Sequence, residues 1–330
     1  MLITGGSGSI GKALAKRALA DGAKIVKIFS NDEYGQYELE KEFENDKRLR
    51  FFIGDIRNEN SIDYVTKGSN IVFHTAALKH VDRCESNPFE AVTVNILGTK
   101  NVISSALKES VERVVSISTD KAVNPVSVLG GTKLLTEKLI SAEAFRSDNN
   151  NNTIFSSVRF GNVLNTRGSI LPQIEKQIQD GGPITLTDKK MMRYFMTEED
   201  AVNLIISATR IAKGGEIFVL KMSLLRLEDL FEAMKNVLAP KYGFKPSQIK
   251  TKVIGMRAGE KLIEELITEF EIQRSLEMKD FFIIFPHKKP DEIIERSDAK
   301  KPKNLKTFFE GNTPLKRQEI ERVLRKIYQK

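Results

Sequence analysis

One cysteine and three histidines stand among 330 residues, and these scarcities remove whole classes of protein. A lone Cys84 closes no internal disulfide, so nothing points to an oxidising compartment, and the cytoplasm is the expected location. His80 and Cys84 lie four apart with Asp82 and Glu85 nearby. No second His or Cys cluster accompanies them, so the four ligands of a structural zinc cannot be assembled and no metal is expected. His74 lies within an apolar run and reads as a core histidine, and His287 as an isolated loop residue. The longest apolar runs, Asn70 to Leu78 and Phe281 to Pro286, fall far short of the roughly 18 residues a membrane span needs. The glycine-rich turn arrives at once, with no apolar signal core before it, so neither export nor a membrane partner is expected.

With 21 Gly and 10 Pro the chain is not of low complexity, and its 40% apolar and 29% charged residues are ordinary for a globular protein. At about 150 residues per domain, the length suggests two domains or one large unit with an embedded lobe. The formal charge is +8. Bases alternate with acids through most of the chain, as in Glu40-Lys41-Glu42, and thicken only at Lys288-Lys289 and Lys300 to Lys306. That pattern is a solvated face, and no nucleic-acid partner is expected.

Leu2-Ile3-Thr4 is a short apolar run stopped by glycine, and Ile10, Ala13, Leu14 and Ala18 follow at helical spacing. Further β-branched runs at Ile25 to Phe29, Phe51 to Ile53, Ile71 to Ala76, Val114 to Ile117 and Ile154 to Phe160 alternate with helical patterns, notably Glu90 to Glu109 and Val128 to Ala144. That alternation predicts a doubly wound α/β fold of Rossmann type, a parallel sheet covered on both faces. The first domain is expected over 1–163, rejoined by a helix and a strand within 196–220, and a smaller lobe over 164–195 and 221–330. Asn149 to Asn152 reads as a polar loop, and a final helix is expected to start at Thr313-Pro314.

Gly5, Gly8 and Gly11 in Thr4-Gly5-Gly6-Ser7-Gly8-Ser9-Ile10-Gly11 stand between the first strand and the first helix. There a dinucleotide pyrophosphate needs a tight turn, close backbone approach and free N–H groups at a helix N-terminus. The second strand ends in Phe29-Ser30-Asn31-Asp32. Asp32 comes slightly late for the acid that holds the ribose hydroxyls of NAD. No Arg or Lys lies between Lys27 and Lys41 to hold the 2′-phosphate of NADP. Either dinucleotide stays open, with a lean to NAD. Ser118-Thr119-Asp120-Lys121 follows the fifth strand, at the strand end where ligands of open α/β sheets sit.

The glycine spacing resembles that of extended short-chain dehydrogenases and reductases. The string Ser118 to Pro125 is similar to that of their branch of UDP-N-acetylglucosamine 4,6-dehydratases of polysaccharide, capsule and flagellin-glycan biosynthesis. The same branch is matched by Ala76-Ala77-Leu78-Lys79-His80-Val81, Arg159-Phe160-Gly161-Asn162-Val163, Arg167-Gly168-Ser169, Arg193-Tyr194-Phe195-Met196-Thr197, Gly215 to Phe218 and Ile254 to Lys261, over about residues 3–285. The resemblance implies that Gly5, Ser7, Gly8, Ile10, Gly11, Ser30, Asn31, Asp32, Asp55, Ile56, Ala76, Ala77, Lys79 and Lys133 bind a tightly held, recycled NAD or NADP. It implies Lys79, His80, Asn162, Arg167, Arg193, Arg257 and Glu260 for a UDP-sugar. For catalysis it implies Lys121 as base at C5, Asp120 as acid at the 6-hydroxyl, Thr119 near O4, and Lys133 on the nicotinamide ribose. It also implies a homo-oligomer, a dimer or a hexamer.

One position departs from the family: Leu129 stands four before Lys133, where most members carry tyrosine, and leucine exchanges no proton. The 4-hydroxyl proton must then go to Asp120, Lys121 or a water. Tyr194 reads as packing rather than as a replacement. A UDP-sugar 4-epimerase shares fold and cofactor but needs no group that expels the 6-hydroxyl, which Asp120-Lys121 provides. A non-catalytic dinucleotide-sensing regulator would not need the Arg193 and Arg257 motifs.

Overall fold

A computed structural model describes residues 1–144, 146, 152–286, 300, 302 and 313–328. His287, Asn149 to Asn151 and most of the basic stretches near the C-terminus lie outside the described residues. The chain divides into two units: 1–160 with 198–221 and 266–303, and 161–197 with 222–265 and 304–330.

The first unit opens with β1 (Leu2–Thr4), α1 (Ser9–Ala20), β2 (Val26–Ser30), α2 (Glu33–Glu42), β3 (Leu49–Ile53), α3 (Glu59–Thr66) and β4 (Ile71–His74). It continues through α4 (Val81–Ser86), α5 (Pro88–Ala91), a π-helical turn at Val92–Leu97, α6 (Gly98–Lys108), β5 (Arg113–Thr119), α7 (Val128–Ala142) and β6 (Ile154–Phe160). The strand order is β3-β2-β1-β4-β5-β6, then Ile217–Leu220, all parallel. This is the expected Rossmann-type sheet. Its strands are buried because helices cover them: Leu2, Val72, Val114 and Phe155 pack with Ile62, Val65, Val102, Ile103 and Ile140 of α3, α6 and α7. The pattern expected to run as one helix from Glu90 to Glu109 is broken by the π turn.

The sheet does not stop at Ile217–Leu220. Phe281–Ile284 pairs antiparallel to it and Ser275–Glu277 pairs antiparallel to Phe281–Ile284. Residues 266–303 therefore group with the first unit, a correction to the expected lobe over 221–330: these apolar strands complete the sheet edge. The other end of the expected first domain shifts too, because Asn162–Val163 pairs with Met192–Met196 in the second unit.

In the second unit, helices Ile170–Gln179, Leu227–Leu238 and Arg317–Tyr328 bury Leu171, Ile174, Leu230, Phe231, Met234, Ile320 and Leu324 in one core. The last helix begins at Arg317, not at Thr313-Pro314. Leu315 N–H donates to Leu224 O, holding the preceding residues out of the helix, and Lys316 N–H donates to Glu319 Oε2 at the true start.

Candidate active site

The turn between β1 and α1 is as tight as its glycines suggest. Gly5 has φ 66°, and a Cβ there would lie 2.7 Å from the backbone of Ala76, which follows β4. At Gly11 a Cβ would lie 2.5 Å from Gly6 Cα. Ala76 is thus drawn against the turn. Gly8, the residue before α1, has no side chain to cap it, so the first N–H groups of α1 suit an anion. These residues fit a dinucleotide pyrophosphate.

Beside the turn, Ser7 and Ser30 share a 2.8 Å hydroxyl contact, and Asp32 N–H donates to Ser30 Oγ. Asp32 itself caps α2, its Oδ1 accepting Gly35 N–H at 2.9 Å. The acid facing Asn31 is Asp55, which accepts from Asn31 Nδ2 at 3.4 Å and is gripped by Arg57 through Nε and Nη2. The Arg57 hydrogen bonds hold its carboxyl below the usual range, outweighing burial. Ile56 is buried against Gly98 of α6.

At the end of β5 the chain makes a 3₁₀ turn, Asp120–Ala122. Asp120 has no exposed surface. Its Oδ1 accepts from Thr119 Oγ1 and from Lys121 Nζ, each at 2.9 Å, while Oδ2 is buried with no hydrogen-bond partner. The Lys121 side chain is 21% exposed. An ion pair with one dry face and one accessible amine is unlike the surface pair that Asp-Lys usually forms. On α7, Lys133 is 8% exposed and donates from Nζ to Ile117 O of β5 at 2.7 Å. Burial pulls its pKa down to about 8, against the opposing field of Glu137. Leu129 packs with Cys84 and Ala91 in an apolar cluster. His74 is the expected core histidine, set between Thr4 Oγ1 and Thr99 Oγ1 at 2.8 and 3.0 Å. Burial, then Lys133, pushes its pKa to about 3, so it is neutral near pH 7. Lys79 and His80 are exposed just before α4.

Within the second unit, Arg193 is buried and donates from Nη1 to Met192 O at 2.8 Å and Leu262 O at 3.2 Å. The sequence offered it only as an anion ligand; the structure adds a scaffolding role that ties its strand to the segment after Glu260. Arg257 is exposed, on a turn closed by Arg257 N–H to Glu260 Oε2 at 3.0 Å. Asn162 Nδ2 donates to Tyr194 O, and Tyr194 is buried as expected for packing. Arg167 is exposed beside Gly168.

Residues 1–286 match the family described as polysaccharide biosynthesis protein. The chain belongs to that family. It is 50% identical over 306 residues, 91% of each chain, to an uncharacterized membrane protein of Methanocaldococcus jannaschii. Among the described residues no helix is long and apolar enough to cross a membrane. It is 39% identical over 288 residues to a UDP-glucose 4-epimerase of Rickettsia rickettsii, covering 86% of this chain and 82% of the relative. The structure of Pen from Bacillus thuringiensis matches with a TM-score of 0.89 at 40% identity, covering 98% of this chain and 95% of that one. DesIV of Streptomyces venezuelae, a dTDP-glucose 4,6-dehydratase with NAD and TYD bound, shares the fold at 24% identity and a TM-score of 0.70, covering 80% and 87%.

In this member of the polysaccharide biosynthesis family, the site is held by residues that sequence reasoning passed over. A Cβ on Gly130 would stand 2.3 Å from Lys121 O, so only glycine lets α7 close on the Asp120 turn. The Gly130-Gly131 pair inside a helical pattern was the available signal. Asn95, in the π turn, accepts Leu78 N–H at 2.8 Å and donates to Leu78 O and Thr132 Oγ1, joining the segment after β4 to α7. Glu85 accepts Val128 N–H and fixes the start of α7.

Proposed function

We propose that the chain is a nucleotide-sugar 4,6-dehydratase that acts on UDP-N-acetylglucosamine and uses NAD. The observation that carries this reading is the Asp120–Lys121 pair at the end of β5, with its buried, unpartnered Oδ2. Bound NAD supplies the acceptor for the C4 hydride and later its donor to C6. Lys121 Nζ and Asp120 Oδ1 are joined by a 2.9 Å hydrogen bond. As C4 is oxidised the Lys121 amine takes the 4-hydroxyl proton by way of Thr119, forming the ion pair, and a proton then moving along this hydrogen bond produces a free amine and a carboxylic acid together. The amine takes the C5 proton, acidified by the 4-ketone, and the acid protonates the departing 6-hydroxyl, so one water leaves. The proton then returns from Lys121 to C5. Thr119 orients O4, and with Leu129 held in an apolar cluster the 4-hydroxyl proton falls to the Thr119–Asp120–Lys121 group. Lys133 holds the nicotinamide ribose.

The NAD reading is supported by Asp55, a carboxylate facing Asn31 whose cation Arg57 is already engaged; a 2′-phosphate there meets repulsion and no free guanidinium. The diphosphate and nucleoside of the substrate are assigned to Arg193, Arg257, Asn162, Arg167 and Glu260, with Lys79 and His80 toward the sugar. The name of the 39%-identical Rickettsia relative favours a second reading, a UDP-sugar 4-epimerase. Mass spectrometry of the nucleotide sugar after incubation separates them: the dehydratase product lacks one water, whereas an epimer has unchanged mass and overturns the first reading.

A further inference from the structure

Arg159 of β6 has no exposed surface, and its guanidinium is fully engaged. Nε and Nη2 donate to Glu137 of α7 at 3.0 and 2.7 Å; Nη2 and Nη1 donate to Glu271 at 2.9 and 3.1 Å; Nη1 also donates to Leu266 O at 2.8 Å. Two carboxylates against one guanidinium leave a surplus negative charge in the interior, which is costly unless a cation lies near. Among the described residues of the first unit, the one other buried Lys or Arg is Lys133. It stands four residues before Glu137 on α7, and both side chains are buried on that helix.

We infer that Glu137 is a positioning residue for Lys133: its carboxylate, fixed by Arg159, is the counter-charge that keeps the ammonium protonated and seated on Ile117 O. The functional weight of this inference rests on Lys133 binding the cofactor ribose as proposed above. The other groups facing Lys133 do not supply that charge. Burial pushes the Cys84 thiol of α4 up and keeps it neutral, and His74 of β4 is neutral at pH 7. Asp120 and Lys121, on the turn packed against α7, pair with each other. Glu137 is also the strongest influence opposing the burial that lowers the Lys133 pKa.

The test is an NMR titration of the Lys133 Nζ signal in the full chain labelled with ¹⁵N-lysine, with no dinucleotide or sugar present. The wild-type midpoint is expected near pH 8. Glu137→Gln lowers it by about one unit, roughly tenfold in proton affinity. Glu137→Asp keeps the charge and keeps the midpoint, and Glu271→Gln, which also removes a carboxylate from Arg159, moves it far less. An unshifted midpoint in Glu137→Gln, or an equal shift in Glu271→Gln, overturns the inference. If Glu137→Gln does not fold, Lys133→Met carries the test. Without the ammonium the buried triad keeps an uncompensated negative charge, so Lys133→Met is less stable than wild type to urea at pH 7, while Lys133→Arg, which keeps the charge, loses far less. Equal losses in the two variants, or no loss in Lys133→Met, overturn the inference. Because the titration needs no substrate, a failure of the dehydratase reading leaves its outcome standing, and the reverse also holds.

Discussion

Lys121→Met lowers dehydration by a factor of about a hundred to ten thousand, the range in which a positioned acid or base contributes. Two consequences follow from one deletion. The variant has no amine to take the C5 proton, and Asp120 loses the 2.9 Å hydrogen bond that delivers its own proton. Asp120→Asn separates these roles. The amide leaves Lys121 in place but cannot act as an acid, so water loss stops, while C5 exchange is retained in part, because Lys121 must then lose its proton to solvent instead of to Asp120. Proton NMR in heavy water reads exchange, and chromatography of the nucleotide sugar reads dehydration. A Lys121→Met variant that keeps a tenth or more of wild-type turnover would remove the pair from the mechanism.

Arg159→Met destabilises the fold by about 3–5 kcal/mol, because removing the centre of a buried ion cluster strands Glu137 and Glu271 without a cation. The effect carries a pH signature. Burial alone raises the Glu271 pKa, but Arg159 and the Thr268 hydrogen bonds outweigh it and hold the group at about 2, against an ordinary 4.5. A depressed folded pKa gives stability that is present above the unfolded value and is lost as pH falls toward the folded one. The wild type therefore loses about 3 kcal/mol from this group between pH 4.5 and 2. In Arg159→Met the sign reverses: with Arg159 gone, burial, the largest influence on Glu271, raises its pKa above the ordinary value, so the variant gains stability from pH 7 to 5. Urea unfolding at pH 7, 5 and 3 reads both trends. Parallel curves for the two proteins would contradict the assignment.

The parts of this molecule written in local pattern are readable in its sequence. Ile154–Phe160 has the bounds its β-branched run suggests, and the glycine turn sits between β1 and α1 because only glycine tolerates the close approach of Ala76. The Asp120–Lys121 pair was legible as a dipeptide at a strand end, although its burial and its unpartnered oxygen were not. What escaped lies in contacts between distant residues. Arg159 meets Glu137 and Glu271 across 22 and 112 residues, and no periodicity records such pairing. The antiparallel strand Phe281–Ile284 read only as part of an apolar run, and its partner Ser275–Glu277 went unread, since a strand that completes a sheet edge looks locally like any other. Thr313-Pro314 has the chemistry of a helix start, yet a backbone bond to Leu224 holds the chain out and moves the start to Arg317. Arg193 matched an anion-binding motif without revealing that it also braces two carbonyl oxygens of its own unit.

The central claim is that the hydride taken from C4 returns within the same molecule to C6 after water has left. UDP-N-acetylglucosamine carrying deuterium at C4 tests it directly, with the product followed by NMR and mass spectrometry. The account predicts a 4-ketone whose C6 methyl group carries the deuterium, and a dinucleotide unchanged at the end. Deuterium retained at C4 of an epimer, or a sugar recovered unaltered from wild-type protein, would contradict it.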